Sequence, residues 1–440
     1  MRRVLLISYS YPPRPEIGSV RLGGLAKYLP QFGWEPVVLT PMLPNGPRPP
    51  ARVIETRYRD VLGDWKRRLG LDAGRGLHEQ LKLQVSSIPG SKRLHTRVIN
   101  WVASIIAYPD PKKGWIPFAI EAVQSLVRSE KVDAILSSAH PPSCHLIGRR
   151  AKDTLKCPWV ADFRDLWTQH HYYSYGWIRR AVESGLERRV VGSADALVTV
   201  SASWADLLRQ KFREQPVYWV TNGFDPDEFP SKKQELTKVF SISHTGQLYQ
   251  GKRDPTMLLE VTADLIRGGA IPRAEVRIWF YGPPEPWWLP ALVERCGLGD
   301  VVEIRGLIPR AEALARQQES QLLLLLIGPD TPELVGHYPA KIFEYLGSRR
   351  PIIALGGPPG VVSDLLRETN AGVHIRSRTE LRAFLIEAYK EYQQLGRVSY
   401  VGDETAISRY SHLEMARKFA AILNRVTGEG VVNDKNGSSV

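Results

Sequence analysis

The chain is 440 residues long and carries 59 Lys and Arg against 46 Asp and Glu, a formal net charge of +13. At ~100–200 residues per domain, this length predicts two or three domains. A composition of 43% hydrophobic and 24% charged residues excludes a disordered or fibrous chain. Three distant cysteines, Cys144, Cys157 and Cys296, exclude a disulfide scaffold and a Cys-built zinc site, and they suit a reducing compartment. The longest apolar run, 322–327, is far short of the ~20 residues of a membrane span. The start Met1-Arg2-Arg3 resembles a signal peptide, but the apolar run 4–7 is too short for one. The expectation is a cytoplasmic protein whose positive charge meets a polyanion: nucleic acid, an anionic lipid surface or a phosphorylated ligand.

In chain order, β-rich runs fall at 4–7, 36–40, 134–138, 159–163, 196–200 and 217–221. Six more follow at 239–243, 276–281, 301–304, 322–327, 351–355 and 372–375. Most are continuously apolar, as strands buried on both faces of a parallel sheet are. Helical patterns lie between them, at 22–32, 118–128, 178–191, 204–212, 255–266, 290–296, 311–318 and 341–346. This alternation predicts a doubly wound α/β fold. Twelve strands exceed one comfortable open sheet, and the charged, Pro-containing stretch 225–238 has linker chemistry. The predicted organisation is a domain over 1–224, a linker over 225–238 and a second domain over 239–405. A final helical segment over 406–427 and a disordered tail over 428–440 complete it. Residues 51–100 break the alternation. They hold 11 Lys/Arg and 5 Asp/Glu, a net +6, and read as an insertion whose basic, partly apolar surface could face anionic lipid.

In open α/β sheets, ligands sit beyond the carboxyl ends of the strands. After the first strand, Glu16-Ile17-Gly18-Ser19 leads into a helix, and Gly18 would present backbone N–H groups to an anion. After the strand at 134–138, His140 precedes two prolines and is placed to orient or polarise a hydroxyl. After Trp159-Val160 come Asp162, Arg164 and Asp165, two acids and a cation where a ligand would lie.

In the second half, the strand at 239–243 runs into Gly246-Gln247-Leu248-Tyr249-Gln250-Gly251-Lys252-Arg253 and a helix opening at Pro255. Flexible backbone, paired cations and a helix N-terminus read as a diphosphate clamp. It is not a Walker loop, because Arg253 stands where that motif needs a hydroxyl. The segment Gly336-His337-Tyr338-Pro339-Ala340-Lys341-Ile342-Phe343-Glu344 offers Lys341 to phosphate and Glu344, one turn on, to a pair of hydroxyls. An i,i+3 salt bridge is the plainer reading of that pair. Asp225-Pro226-Asp227 matches a metal motif but reads as turn chemistry, and no metal site is expected. The prolines in Gly356-Gly357-Pro358-Pro359-Gly360 spoil a dinucleotide fingerprint.

Taken together, 138–142 with 161–167, the crossover 220–225, the loop 246–253 and the helix 341–346 resemble the family 4 glycosyltransferases of the GT-B fold. The resemblance implies two Rossmann-like domains facing a cleft, with the last helix crossing back to the first. It implies a hexosyltransferase type of enzyme. Gly18 and His140 would face the reacting centre, with Asp162, Arg164 and Asp165 on the acceptor side. Lys252 and Arg253 would neutralise the donor diphosphate, and Glu344 would bind the donor ribose. Gly246, Gln247, His337, Tyr338, Pro339, Ala340 and Lys341 would line the donor. The sequence departs from the pattern at Gly336, where the family often has a glutamate, and at Gln247, where it often has an arginine. The implied reaction is retaining and metal-independent, from a UDP- or GDP-linked sugar to a lipid-linked or polysaccharide acceptor, with no further cofactor. A GT-B epimerase shares the architecture. Recognisable nucleic-acid modules are absent, so nucleic acid is not an expected partner. An anionic membrane surface is.

Overall fold

The computed structural model describes residues 1–14, 16–68, 70, 105–170, 173, 175–229, 234–282 and 287–428. The chain forms two compact units. One comprises Met1–Val200, Trp204–Val220 and the stretch from Ala416; the other comprises Ser201–Ser203 and Thr221–Met415.

The first unit runs β1 (Arg2–Ile7), α1 (Ile17–Tyr28), β2 (Trp34–Pro41), β3 (Arg52–Thr56), α2 (Val61–Arg68), α3 (Ile116–Ser129), β4 (Ala134–Ala139), α4 (Ser143–Leu155), β5 (Trp159–Phe163), α5 (Trp177–Val191), β6 (Ala196–Thr199), α6 (Ala202–Lys211) and β7 (Val217–Trp219). The strands form one parallel sheet in the order β3-β2-β1-β4-β5-β6-β7. Three fully buried tryptophans tie it together. Each indole N–H is partnered, as burial demands: Trp159 donates to Ser137 Oγ, Trp115 to Thr56 Oγ1 and Trp34 to Asn424 Oδ1.

The sequence reading placed no strand within 51–100. The structure corrects this: β3 pairs in register with β2, from Val37↔Arg52 to Pro41↔Thr56, as the sheet's edge. Arg52 and Glu55 point outward, and charge on an edge strand discourages further pairing. That charge is what hid the strand from apolar patterning. Residues 51–68 therefore belong to the sheet and its flanking helix. The remainder of the expected basic insertion, 69 and 71–100, lies outside the described residues, as does the expected tail from 429 on.

The second unit runs β8 (Phe240–Thr245), α7 (Thr256–Arg267), β9 (Val276–Tyr281), α8 (Leu289–Arg295), β10 (Val302–Gly306), α9 (Arg310–Glu319), β11 (Leu322–Gly328), α10 (Lys341–Ser348), β12 (Ile352–Gly356), α11 (Val361–Thr369), β13 (Gly372–Ile375), α12 (Arg378–Leu395) and α13 (Glu404–Ser408). Its sheet is also parallel, in the order β10-β9-β8-β11-β12-β13. The run in β11 is apolar throughout because both faces are covered. Leu322, Leu324 and Leu326 enter one core cluster, and Leu323, Leu325 and Ile327 enter another. The last helix, α14 (His412–Val426), returns its C-terminal part to the first unit. There Arg2 donates to Asn424 Oδ1 at 2.5 Å, and Arg21 lies 5.0 Å from the ring of the buried Phe419.

Each sheet has one topological switch point, between β1 and β4 in the first unit and between β8 and β11 in the second. A doubly wound sheet opens a crevice at its switch point.

Candidate active site

In the second unit, the loop after β8 is folded by its own backbone. Tyr249 N donates to Arg253 O at 3.1 Å and Lys252 N to Tyr249 O at 3.0 Å. Gly251 turns the chain at a φ of +70°, which favours glycine. Asp254 locks the exit by accepting from Gly251 N and Thr256 N. Lys252 is exposed, and the Arg253 guanidinium lies 5.8 Å from the centre of the Tyr249 ring. Gln247 accepts from the Tyr249 hydroxyl.

The loop after β11 crosses His337 and the buried Pro339, and Ala340 caps α10. Lys341 packs over Gly246: its Cε stands 3.5 Å from where a Cβ at residue 246 would lie. Both switch-point loops therefore meet. Lys341 Nζ donates to Glu344 Oε2 at 2.9 Å, the i,i+3 pair that the spacing allowed. Arg310 donates to Glu344 Oε1 at 2.7 Å and also grips Glu228 at 2.6 and 3.1 Å. Burial would push the Glu344 carboxyl up, but Lys341 and Arg310 overcome it and hold the group at about 2. Gln317 Nε2 also donates to Oε2 at 3.4 Å, so of about four acceptor positions one, on Oε1, is left for a hydroxyl donor.

Beneath this pair lies a polar network. Gln317 donates to Thr245 Oγ1, Ser348 donates to Gln317, and the Tyr345 hydroxyl accepts from Thr245 N and donates to Leu324 O. The buried His244 donates from Nδ1 to Leu324 O, and its Nε2 has no hydrogen-bond partner. Burial lowers it to about 4, so the ring is neutral at pH 7.

Tyr338 turns its ring away from the crevice. The resemblance puts residue 338 on the donor side; its ring packs 5.5 Å from Phe343 against the apolar core, which leaves its backbone to line a donor. An aromatic ring next to a helix start gains more by burial than by facing a polar crevice.

In the first unit, His140 donates from Nε2 to Leu166 O at 3.0 Å, leaving Nδ1 with the lone pair. Its ring meets His170 edge-on at 5.3 Å. Burial lowers His140 to about 4, against a raising influence from Asp165. Arg164 donates to His140 O at 3.1 Å and lies 3.5 Å from the Asp165 carboxylate. Its Nη1 is buried without a hydrogen-bond partner. That nitrogen lies against the first turn of α1, where a Cβ on Gly18 would stand only 1.8 Å from it. A larger residue at 18 would push the guanidinium out of that space. Ser19 Oγ, next along α1, is also buried without a partner. A helix N-terminus, an unsatisfied guanidinium N–H and an unsatisfied hydroxyl together suit an anion.

Asp162 does not join this group, which corrects the acceptor-side reading. It is fully buried and grips Arg21 through two hydrogen bonds at 2.8 and 3.0 Å, while Ser138 donates to Oδ2 at 2.7 Å. Its partners leave no approach for substrate, and it braces α1 against β5. The residues that the sequence reading missed are Arg310, Gln317, His170 and Arg21. Arg310 and Glu344 are 34 positions apart, and Arg21 and Asp162 are 141 apart, so no local spacing signals either pair. Among the described residues, no group of three or more His, Cys, Asp or Glu side chains is placed to hold a metal ion. No described helix is long and apolar enough to cross a membrane.

Residues 85–228 match Glycosyltransferase Family 4. No curated protein matches the chain in sequence. Among solved structures, sucrose-phosphate synthase from Thermosynechococcus elongatus is similar over 98% of this chain and 100% of its own, at 13% identity and a TM-score of 0.62. Anabaena HepE in complex with UDP and glucose is similar over 97% and 100%, at 15% identity and 0.61. WaaG, a glycosyltransferase involved in lipopolysaccharide biosynthesis, is similar over 97% and 100%, at 14% identity and 0.51.

Proposed function

We propose that this chain, whose residues 85–228 match Glycosyltransferase Family 4 and whose fold is similar to that of solved glycosyltransferases, is a GT-B glycosyltransferase that moves a sugar from a nucleoside-diphosphate donor to a lipid-linked or polysaccharide acceptor. One observation carries the donor assignment. At the switch point of the second unit, a carboxylate held ionised by two cations, Lys341 and Arg310, stands where Lys341 packs over the turn at Gly246. Glu344 accepts a ribose hydroxyl, while Lys252, Arg253 and Lys341 take the diphosphate with the backbone of Gly246, Gln247 and 336–340. UDP and GDP fit this chemistry equally, since the base is read elsewhere. HepE with UDP and glucose supports a uridine donor by analogy of fold.

Cleavage of the sugar–phosphate bond places negative charge on the departing diphosphate and positive charge on the anomeric carbon. Fixed cations and a helix N-terminus stabilise the first without a metal. His140, neutral at pH 7, is too weak a base to take a hydroxyl proton fully. Its Nδ1 orients the acceptor hydroxyl, and the leaving phosphate takes the proton on the face it departs from, which gives retention. Arg164 and the start of α1 hold an anionic group close to His140.

The test is product analysis with UDP- and GDP-sugars in excess chelator, with and without acceptor lipid or polysaccharide. Acceptor-dependent sugar transfer with retained anomeric configuration is expected. Sugar inversion without acceptor would assign an epimerase instead.

A further inference from the structure

The solvent side of α5 has the wrong composition for a water-facing helix. At 100° per residue, positions 177, 178, 181, 182, 185, 188 and 189 share one side, and the buried positions 183, 187 and 190 lie opposite. The outer side reads Trp177, Ile178, Ala181, Val182, Gly185, Arg188 and Arg189. It holds large apolar residues and arginines, with no acid, amide or hydroxyl. Trp177 is 80% exposed, Ile178 63% and Val182 56%. Both acids of the helix are turned inward. Glu183 pairs with Arg179 at 2.6 Å, and Glu187 pairs with Lys211 and accepts from Thr168. Arg180 on the flank is exposed as well.

We infer that this side of α5 is a docking surface for an anionic lipid bilayer. An interfacial helix needs apolar anchors at headgroup depth, led by tryptophan, and cations beside them that reach the phosphates. The side carries both and lacks the carboxylates that anionic lipid would repel. A second copy of the chain fits less well, because a two-fold contact would set the same arginines against one another. The first turn of α5 follows directly on the β5 loop that carries Arg164 and His170. The anchors thus lie at the carboxyl edge of the first sheet, where a lipid-borne substrate would be presented. The inference rests on α5 alone and stands whether or not Glu344 binds ribose.

The experiment is co-sedimentation of the intact chain with vesicles of phosphatidylcholine alone or of equimolar phosphatidylcholine and phosphatidylglycerol. Binding to the anionic vesicles, weakening as salt rises, is expected. The double variants W177S/I178S and R188E/R189E should each lower the partition coefficient at least about tenfold. All these positions are exposed, so thermal melting followed by circular dichroism should not change. The inference fails if the intact chain stays in the supernatant or if either double variant sediments like the parent. It also fails if equilibrium ultracentrifugation shows these residues holding a dimer that ignores vesicles.

Discussion

Replacing Glu344 by Gln removes a charge and keeps the shape. The carboxyl sits at about 2 against an ordinary 4.5, and its side chain is only 13% exposed. At 1.36 kcal/mol per unit, about 3 kcal/mol of native stabilisation rests on the ionised form. Arg310 would keep Glu228, so only Lys341 loses its carboxylate. The expected stability loss is therefore about 1–3 kcal/mol. Binding should suffer separately. Hydrogen bonds to a charged acceptor contribute about 1.5–3 kcal/mol each, and Gln retains one acceptor oxygen. UDP or GDP affinity measured by calorimetry should then fall about 10- to 100-fold. The pH dependence gives a second readout. The folded-state value is depressed, so this stabilisation is complete above the ordinary 4.5 and is lost as pH falls towards about 2. Chemical denaturation across that window should show the parent losing the difference and the variant not. If the variant binds nucleoside diphosphate within twofold of the parent, Glu344 is a structural salt-bridge partner and the ribose assignment is wrong.

Other perturbations separate charge stabilisation from bracing. Replacing Lys252 and Arg253 together by Ala should cut turnover by at least about 10²–10³, while excess chelator leaves the parent active; loss of parent activity in chelator overturns metal-independent transfer. Asp162→Asn breaks a fully buried ion pair with Arg21 and should destabilise the protein by about 3–5 kcal/mol in urea titration; a change below about 1 kcal/mol contradicts the bracing role. His140 stays neutral down to about 4, so its imidazole NMR signals should not titrate between pH 8 and pH 5 on the ordinary scale for histidine; a midpoint near 6.5 would restore it as a general-base candidate.

The sequence made some features of this molecule plain and concealed others for physical reasons. The apolar run of β11 announced a strand covered on both faces, and the two core clusters that share it show why. The doubly wound α/β class followed from such runs alternating with helices. The edge strand β3 was illegible because it carries Arg52 and Glu55 where a central strand carries valine or leucine. Lys341 and Glu344 were legible as a pair because helical geometry brings i and i+3 together. Arg310 was not, since only the fold of the second unit carries the start of α9 to α10. Asp162 reads in the sequence as one of a ligand-facing cluster with Arg164 and Asp165. Its partner Arg21 comes from the other side of the switch point, and no local pattern shows that a carboxylate has been paid for by a distant cation. At Tyr338 the motif gave a position but not an orientation: the ring packs against Phe343, and only the fold shows that.

The most direct test of the donor assignment is a thermal-stability titration of the intact chain with UDP, GDP, ADP and their sugar conjugates in chelator. A ligand at 100 times its dissociation constant stabilises the folded state by about 2.7 kcal/mol. The account predicts a clear upward shift with one of the uridine or guanosine series, abolished by Lys252→Ala with Arg253→Ala and reduced by Glu344→Gln. No shift with any nucleoside diphosphate or nucleotide sugar would contradict it.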